Sequence, residues 1–247
     1  SYIQVITLKP DYAEAYSNLG ITLQELGRIT EALVTYSQAI ALKPDYADAY
    51  VNLGVALKSG KFNSPNPELY PSLTKLLTIG NFARPIEVAG CILSLIKHET
   101  QIKDLLVRRN CTLSLSETTS IIRSLDKVPL LHHLMRVCPL PETQFEQLFV
   151  AIRSSLLKNL DDVEAFPELI YFLSTLSIHC FTNEYVYIES DEEEYLVEEL
   201  QTKISQTIVK SKQPEVIEML CLACYRPLHQ YAWCQKLKSL DSLEEVK

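Results

Sequence analysis

Glycine is scarce in this chain, six residues in 247, and the shortage argues against a turn-rich β architecture, which needs glycine wherever the backbone takes positive φ. Sustained alternation of apolar and polar residues is missing too, with Tyr185-Val186-Tyr187-Ile188 the only short strand candidate. No apolar run reaches the roughly 20 residues of a membrane-spanning helix. The most apolar stretch, Leu169 to Phe181, is broken by Ser174, Thr175, Ser177 and His179 and reads as a buried core helix. No basic-then-apolar leader opens the chain, although an excised fragment would have lost one. Positive charge is outweighed, 23 Lys and Arg against 31 Asp and Glu for a net −8, which disfavours a broad nucleic-acid or membrane surface. The local basic group Lys103, Arg108 and Arg109 reads as a solvated helix face.

What is present points to an all-α fold: 47% hydrophobic and 22% charged residues, as in ordinary soluble domains. Seven cysteines is an odd number, and they sit among helical apolar positions, which fits a reduced, cytoplasmic setting better than an oxidising one.

The strongest pattern is a repeat at an offset of 34 residues. Lys9-Pro10-Asp11-Tyr12-Ala13 recurs as Lys43-Pro44-Asp45-Tyr46-Ala47, and Ala15-Tyr16, Asn18-Leu19-Gly20 and Leu23 recur as Ala49-Tyr50, Asn52-Leu53-Gly54 and Leu57. Upstream, Tyr2, Gln4, Ile6 and Leu8 match Tyr36, Gln38, Ile40 and Leu42. A fixed period of this size indicates a stacked solenoid. Tyr16, Leu19 and Leu23 share one helix face. Gly20 and Ala32 are small where two helices must approach, and Pro44 stops the second helix.

These residues resemble the tetratricopeptide repeat, a helix-turn-helix unit of 34 residues, over residues 1 to about 62. The resemblance implies a helical-hairpin array, an α-solenoid, that stands only when stacked. The chain opens halfway through a second helix, so a fragment of a larger protein is expected. Asn63-Ser64-Pro65-Asn66-Pro67 then blocks a regular helix where the second unit should continue. The expected division is a repeat array over 1–62 and an irregular all-helical domain over 63–247 that continues or packs on the solenoid.

In that second part the apolar spacing predicts helices over 68–79, 83–97, 99–108, 127–137, 142–159, 214–225 and 228–240. The segment 68–79 is expected to serve as a displaced second helix. Ser116 is expected to cap one helix, Pro167 to open the next, and Ser190-Asp191-Glu192-Glu193 to form a capping box. Leu169, Ile170, Leu173, Leu176, Cys180 and Phe181 are expected on one apolar face, and the polar side of 142–159 is expected in water. Cys180-Phe181-Thr182-Asn183-Glu184-Tyr185-Val186-Tyr187 and Tyr225-Arg226-Pro227-Leu228-His229 resemble the helical stretch that precedes the methyltransferase domain in bacterial tetratricopeptide-methyltransferase chains. That resemblance implies a parent with an S-adenosylmethionine-dependent catalytic domain beyond residue 247.

No catalytic, metal or cofactor residues are assigned. Cys221-Leu222-Ala223-Cys224 stands without a second ligand pair and reads as core. His132-His133 and His179-Cys180 lack a partner motif, and the acids from Asp191 to Glu194 suit a helix N-terminus better than a calcium loop. The candidate binding residues are Asn18 and Asn52, equivalent positions that line the groove in the tetratricopeptide superhelix, as in the asparagine ladder of O-GlcNAc transferase. An amide offers both a donor and an acceptor and grips a peptide backbone without reading side chains. Ile21 and Val55 lie along the same helices. Glu14 and Asp48 stand where carboxylate-clamping repeats carry lysines, so a C-terminal carboxylate would be repelled. The expected partner is an extended protein or peptide segment, neutral or mildly basic, with a homodimer through the exposed array end as a further expectation.

Overall fold

The computed structural model describes residues 1–107 and 112–237. Its helices are α1 (Tyr2–Leu8), α2 (Ala13–Glu25), α3 (Ile29–Leu42), α4 (Ala47–Leu57), α5 (Tyr70–Ile79), α6 (Pro85–Ile96), α7 (Thr100–Leu106), α8 (Leu115–Asp126), α9 (Pro129–Val137), α10 (Thr143–Lys158), α11 (Pro167–Thr182), α12 (Asp191–Val209) and α13 (Val216–Ala223). Among the described residues there is no strand, and no helix is long and apolar enough to cross a membrane. The fold is all-α, as the composition and spacing imply. Two compact units divide the chain: Ser1–Arg109 with Ser124–Phe145, and Asn110–Arg123 with Glu146–Lys247. The regular repeat pattern ends inside the first.

In the first unit the repeat is geometric as well as sequential. Lys9 and Lys43 close α1 and α3 with nearly the same backbone angles, φ −140° and −135°, and their amides bond Val5 and Ala39 carbonyls. Each lysine then lies over the tyrosine three residues on, 5.1 Å from the Tyr12 ring and 4.9 Å from Tyr46. The α2–α3 crossing depends on Gly20: a methyl there would stand 2.5 Å from the Tyr36 ring. Tyr36 is wholly buried, donates to Gln24 Oε1 at 3.1 Å, and has its hydroxyl pKa pushed up to about 12 by burial. Ala32 and Ala39 are fully buried beside it. Gly27, at φ +75°, makes the intervening turn.

The register breaks after α4. A strict repeat would bring Tyr70, the counterpart of Tyr36, against Gly54. Gly54 is instead met by Phe82 and Ala83, and Tyr70 donates to Glu99. The 68–79 segment is a 3-10 turn, Pro67–Leu69, followed by α5, which packs on α3 through a 2.7 Å bond between Ser37 and Ser72. α6 lies along α4. The physical reason is the pair of prolines at 65 and 67, which delays the next helix and moves it off the hairpin position. The Phe62 amide bonds Ser94 Oγ at 2.9 Å and its carbonyl bonds His98, anchoring the end of α4 on α6. α9 then packs on α5 and α6.

The second unit is built around α11, which packs on α13. Phe172, missed by the sequence reading, belongs to the buried face of α11, whereas Phe181 is exposed and Ile170 partly so. Proline opens α6, α9 and α11, where its missing amide costs nothing. Ser190 caps α12 as expected, accepting the Glu193 amide while the Glu193 carboxylate takes the Ser190 amide at 3.0 Å. At α8 the cap is Ser114, not Ser116: its oxygen accepts the Glu117 amide, and Glu117 bonds back to the Ser114 amide at 3.0 Å. The 228–240 segment holds two 3-10 helices, Leu228–Gln230 and Ala232–Lys236, in place of an α-helix; its end at 238–240, like Arg108 and Arg109, lies outside the described residues. Tyr185 to Ile188 is a turn and loop, with Glu184 and Tyr185 at φ +53° and +56°.

Two glycines in helices of the first unit have opposite expected responses to alanine. Gly20→Ala should cost about 1–3 kcal/mol, because the buried Tyr36 ring has nowhere to go. Gly90, inside α6, has open space where a Cβ would stand, so Gly90→Ala should stabilise by about 0.5–1 kcal/mol. Urea denaturation midpoints of the two variants should move in opposite directions.

Candidate polypeptide-binding face

α2 and α4 each begin with an acid and turn an asparagine and an aliphatic residue toward solvent one and two turns later. Asn18, Asp48, Ile21 and Val55 are exposed, and Glu14 and Asn52 are half-buried. The two asparagines share a face but differ in environment. Asn52 Nδ2 donates to Ser17 Oγ at 3.4 Å, tying α4 to α2, while at Asn18 it is the backbone carbonyl that accepts the Thr22 hydroxyl, at 3.0 Å, and the side chain is exposed. Glu14 receives Lys43 Nζ at 3.3 Å, and its own backbone amide together with that lysine holds the carboxyl below the ordinary range. The residues the repeat pattern missed are Ser17, buried as the acceptor for Asn52, and Val51, exposed on the same side of α4. Ser17 and Val51 are themselves one repeat apart, and their chemical difference hides the equivalence. The face offers amide donors and acceptors above aliphatic side chains, which suits a peptide backbone better than a reacting bond.

Five cysteines and two histidines lie elsewhere and are enclosed. Cys91, Cys138, Cys180, Cys221 and Cys224 are free and buried. Burial pushes the Cys221 thiol up to about 12 and raises Cys224 as well, which leaves little of the nucleophilic thiolate at neutral pH. His132 and His179 are both buried; burial lowers the His132 pKa, and His179 stands edge-on to Phe149 at 5.7 Å. Among the described residues no group of three or more His, Cys, Asp or Glu is placed to hold a metal ion.

The polar cluster that the sequence reading did not find centres on Arg153. Its helix, α10, was expected to keep its polar side in water, yet Arg153 is 1% exposed and Ser155 is buried, bonded to Thr118 at 2.7 Å. The guanidinium lies 4.2 Å from the Tyr225 ring centre and 5.4 Å from that of Tyr187. It donates to the carbonyls of Cys224 at 3.2 Å, Tyr187 at 3.4 Å and Ile188 at 2.9 Å. Tyr225 in turn donates to Glu193 Oε1 at 2.8 Å. The segments 180–187 and 225–229 therefore meet around one buried cation. Three carbonyls and two aromatic faces replace the water it lost.

Glu193 gives this cluster a pH signature. Burial alone would raise its pKa, but the Ser190 amide, the Tyr225 and Ser190 hydroxyls and the Arg153 charge outweigh burial and hold the carboxyl below its usual 4.5. A native carboxyl that binds its proton less readily than the unfolded one stabilises fully above about pH 4.5, and that stabilisation is lost as pH falls through the lower native value. Glu193→Gln should therefore be less stable than wild type at pH 7, with the gap between their urea midpoints narrowing below pH 4.5.

Compared with known families, residues 24–59, which contain α3 and α4, match the family model of the TPR repeat. No curated protein and no solved structure matches the chain. The chain thus carries a TPR repeat, and the match supports its description as a TPR protein of helical-array fold.

Proposed function

We propose that the chain is a non-catalytic protein-interaction module in which α2 and α4 hold an extended polypeptide segment. The observation that carries this reading is the recurrence of one surface pattern on successive helices: acid, asparagine and aliphatic residue at Glu14, Asn18 and Ile21, then at Asp48, Asn52 and Val55, with the aliphatic residues open to solvent. TPR repeats commonly serve protein binding, which supports the coarser half of the proposal. Asp48 disfavours a carboxylate terminus and favours a neutral or mildly basic segment. A reduced, cytoplasmic setting suits the five buried thiols.

Asn18→Ala with Asn52→Ala should stay folded, losing about 1 kcal/mol of stability with the Asn52–Ser17 bond, and weaken binding of the partner segment about thirtyfold, two hydrogen bonds at about 1 kcal/mol each. Partner captured on the wild-type chain and titrated calorimetrically against both proteins gives the comparison. Equal affinities would remove the asparagines from the site.

A second reading is kept because the segments that resemble methyltransferase-linked chains converge on Arg153. In it the second unit is an accessory region for an S-adenosylmethionine-dependent catalytic domain. The coding sequence beyond residue 247 decides the matter: a strand followed by a glycine-rich turn would support the accessory role, and a stop codon would end it.

Self-association is the reading proposed for the other end of the array. Tyr2, Ile3 and Leu8 are exposed on α1, and an open, mostly apolar cleft of about 800 Å³ lies among α1, α2 and α3. Sedimentation velocity should then show a concentration-dependent dimer that Leu8→Glu dissociates.

A further inference from the structure

α6 lies outside the residues that match the TPR repeat, yet it is placed beside α4 as α4 is placed beside α2. Four contacts fix this in chain order. Tyr50 stacks on Phe82 at 5.2 Å, a methyl on Gly54 would stand 3.0 Å from the Ala83 Cβ, Lys58 pairs with Glu87 at 2.8 Å, and a methyl on Gly60 would stand 2.9 Å from Cys91 Sγ. Both sequences advance together along these contacts, so the two helices run parallel.

With 3.6 residues per turn, the side of α6 that meets α4 contains Glu87 and Cys91, with Ala83 just before the helix start, and its solvent side falls on Ile86 and Gly90. On α4 the side toward α6 contains Tyr50 and Gly54, with Lys58 capping its end, and the solvent side falls on Val51 and Val55. For two parallel right-handed helices these exposed arcs open in the same direction. An aliphatic side chain is thus open to solvent on each of three consecutive parallel layers: Ile21 at 39% on α2, Val51 and Val55 at 44% and 48% on α4, and Ile86 at 49% on α6. Gly90 adds a bare stretch of helix beside Ile86, with nothing within 4 Å of where a Cβ would be.

We propose that α6 is a third rung of the binding face, and that the occupant is an extended segment of alternating apolar and basic residues. This rests on the reading of α2 and α4 as the binding face. The charge preference follows from the ion pairs. Lys43 and Lys58 are held by Glu14 and Glu87, Arg84 lies beside the same Glu87, and exposed Asp48 has no ion pair among the described residues. The length follows from helix spacing. Neighbouring axes stand about 8–10 Å apart, so three helices span about 16–20 Å, which five or six extended residues cover at about 3.3 Å each.

The test uses a capped, fluorescein-labelled peptide of about eight residues alternating Lys and Val, long enough by this spacing to cross all three helices. Fluorescence anisotropy is read on the 247-residue chain and its variants. Gly90→Trp, which fills the bare stretch, should weaken binding about tenfold, and Ile86→Ser, on an exposed side chain that does not support the fold, about threefold. A Glu-Val peptide of equal length should bind more weakly than the Lys-Val peptide. Far-UV circular dichroism checks that both variants are folded, and Ile86→Ser alone decides the question if Gly90→Trp is not. Equal affinity of wild type and the folded α6 variants for the Lys-Val peptide would overturn the inference. If Asn18→Ala with Asn52→Ala loses binding while the α6 variants keep it, the two-helix face stands and the third rung falls. No binding of either peptide would count against both, and preference for the Glu-Val peptide would overturn the proposed occupant.

Discussion

The approach of α2 to α3 at Gly20 sets the geometry of the first unit. A glycine there lets the Tyr36 ring lie against helix backbone, and that one close contact fixes the crossing at which Ala32 and Ala39 are fully buried. With the crossing fixed, the loop from Lys43 to Tyr46 delivers α4 alongside α2 at a set height. Asn52 can then reach Ser17, and surface residues separated by one repeat come to lie side by side. The candidate face is therefore a by-product of how the core closes. Its residues are held at their spacing by buried neighbours, Ser17 among them.

Much of this was legible because it is local or periodic. Proline starts, the Ser190 capping box, the glycine turn at 27 and the repeated Lys-Pro-Asp-Tyr loops are written within a few residues of where they act. What escaped is long-range. Nothing near Gly54 says that Ala83 will take the place Tyr36 takes at Gly20, since that depends on how the chain exits the proline-rich stretch at 65–67. Arg153 sits in a helix whose pattern reads as amphipathic, and only partners at 187, 188 and 224 make its burial tolerable. Ser114 took the capping role from Ser116 because a glutamate three residues after it can complete the reciprocal bond. The 3-10 turns after Pro227 replaced a helix that apolar spacing alone favoured, an outcome periodicity cannot separate in so short a segment.

The candidate site was legible in the same uneven way. Asn18 and Asn52 were found because they recur. Their unlike surroundings, one exposed and one bonded to Ser17, could not be read from identical letters. Ile86 and Gly90 carry no repeat signature at all, and only the parallel placement of α6 relates them to Val55.

Arg153 also bears on the order in which the second unit can form. Its acceptors at Tyr187 and Ile188 follow two consecutive non-glycine residues with positive φ, an uncommon conformation that adds to the cost of forming this turn. The contact to Cys224 closes a loop of 71 residues, a slow step next to the winding of any single helix. The turn at 184–185 is closed locally by the Tyr185 amide on the Cys180 carbonyl at 2.9 Å, but the arginine has all three of its carbonyl acceptors only when the residues around Cys224 have packed.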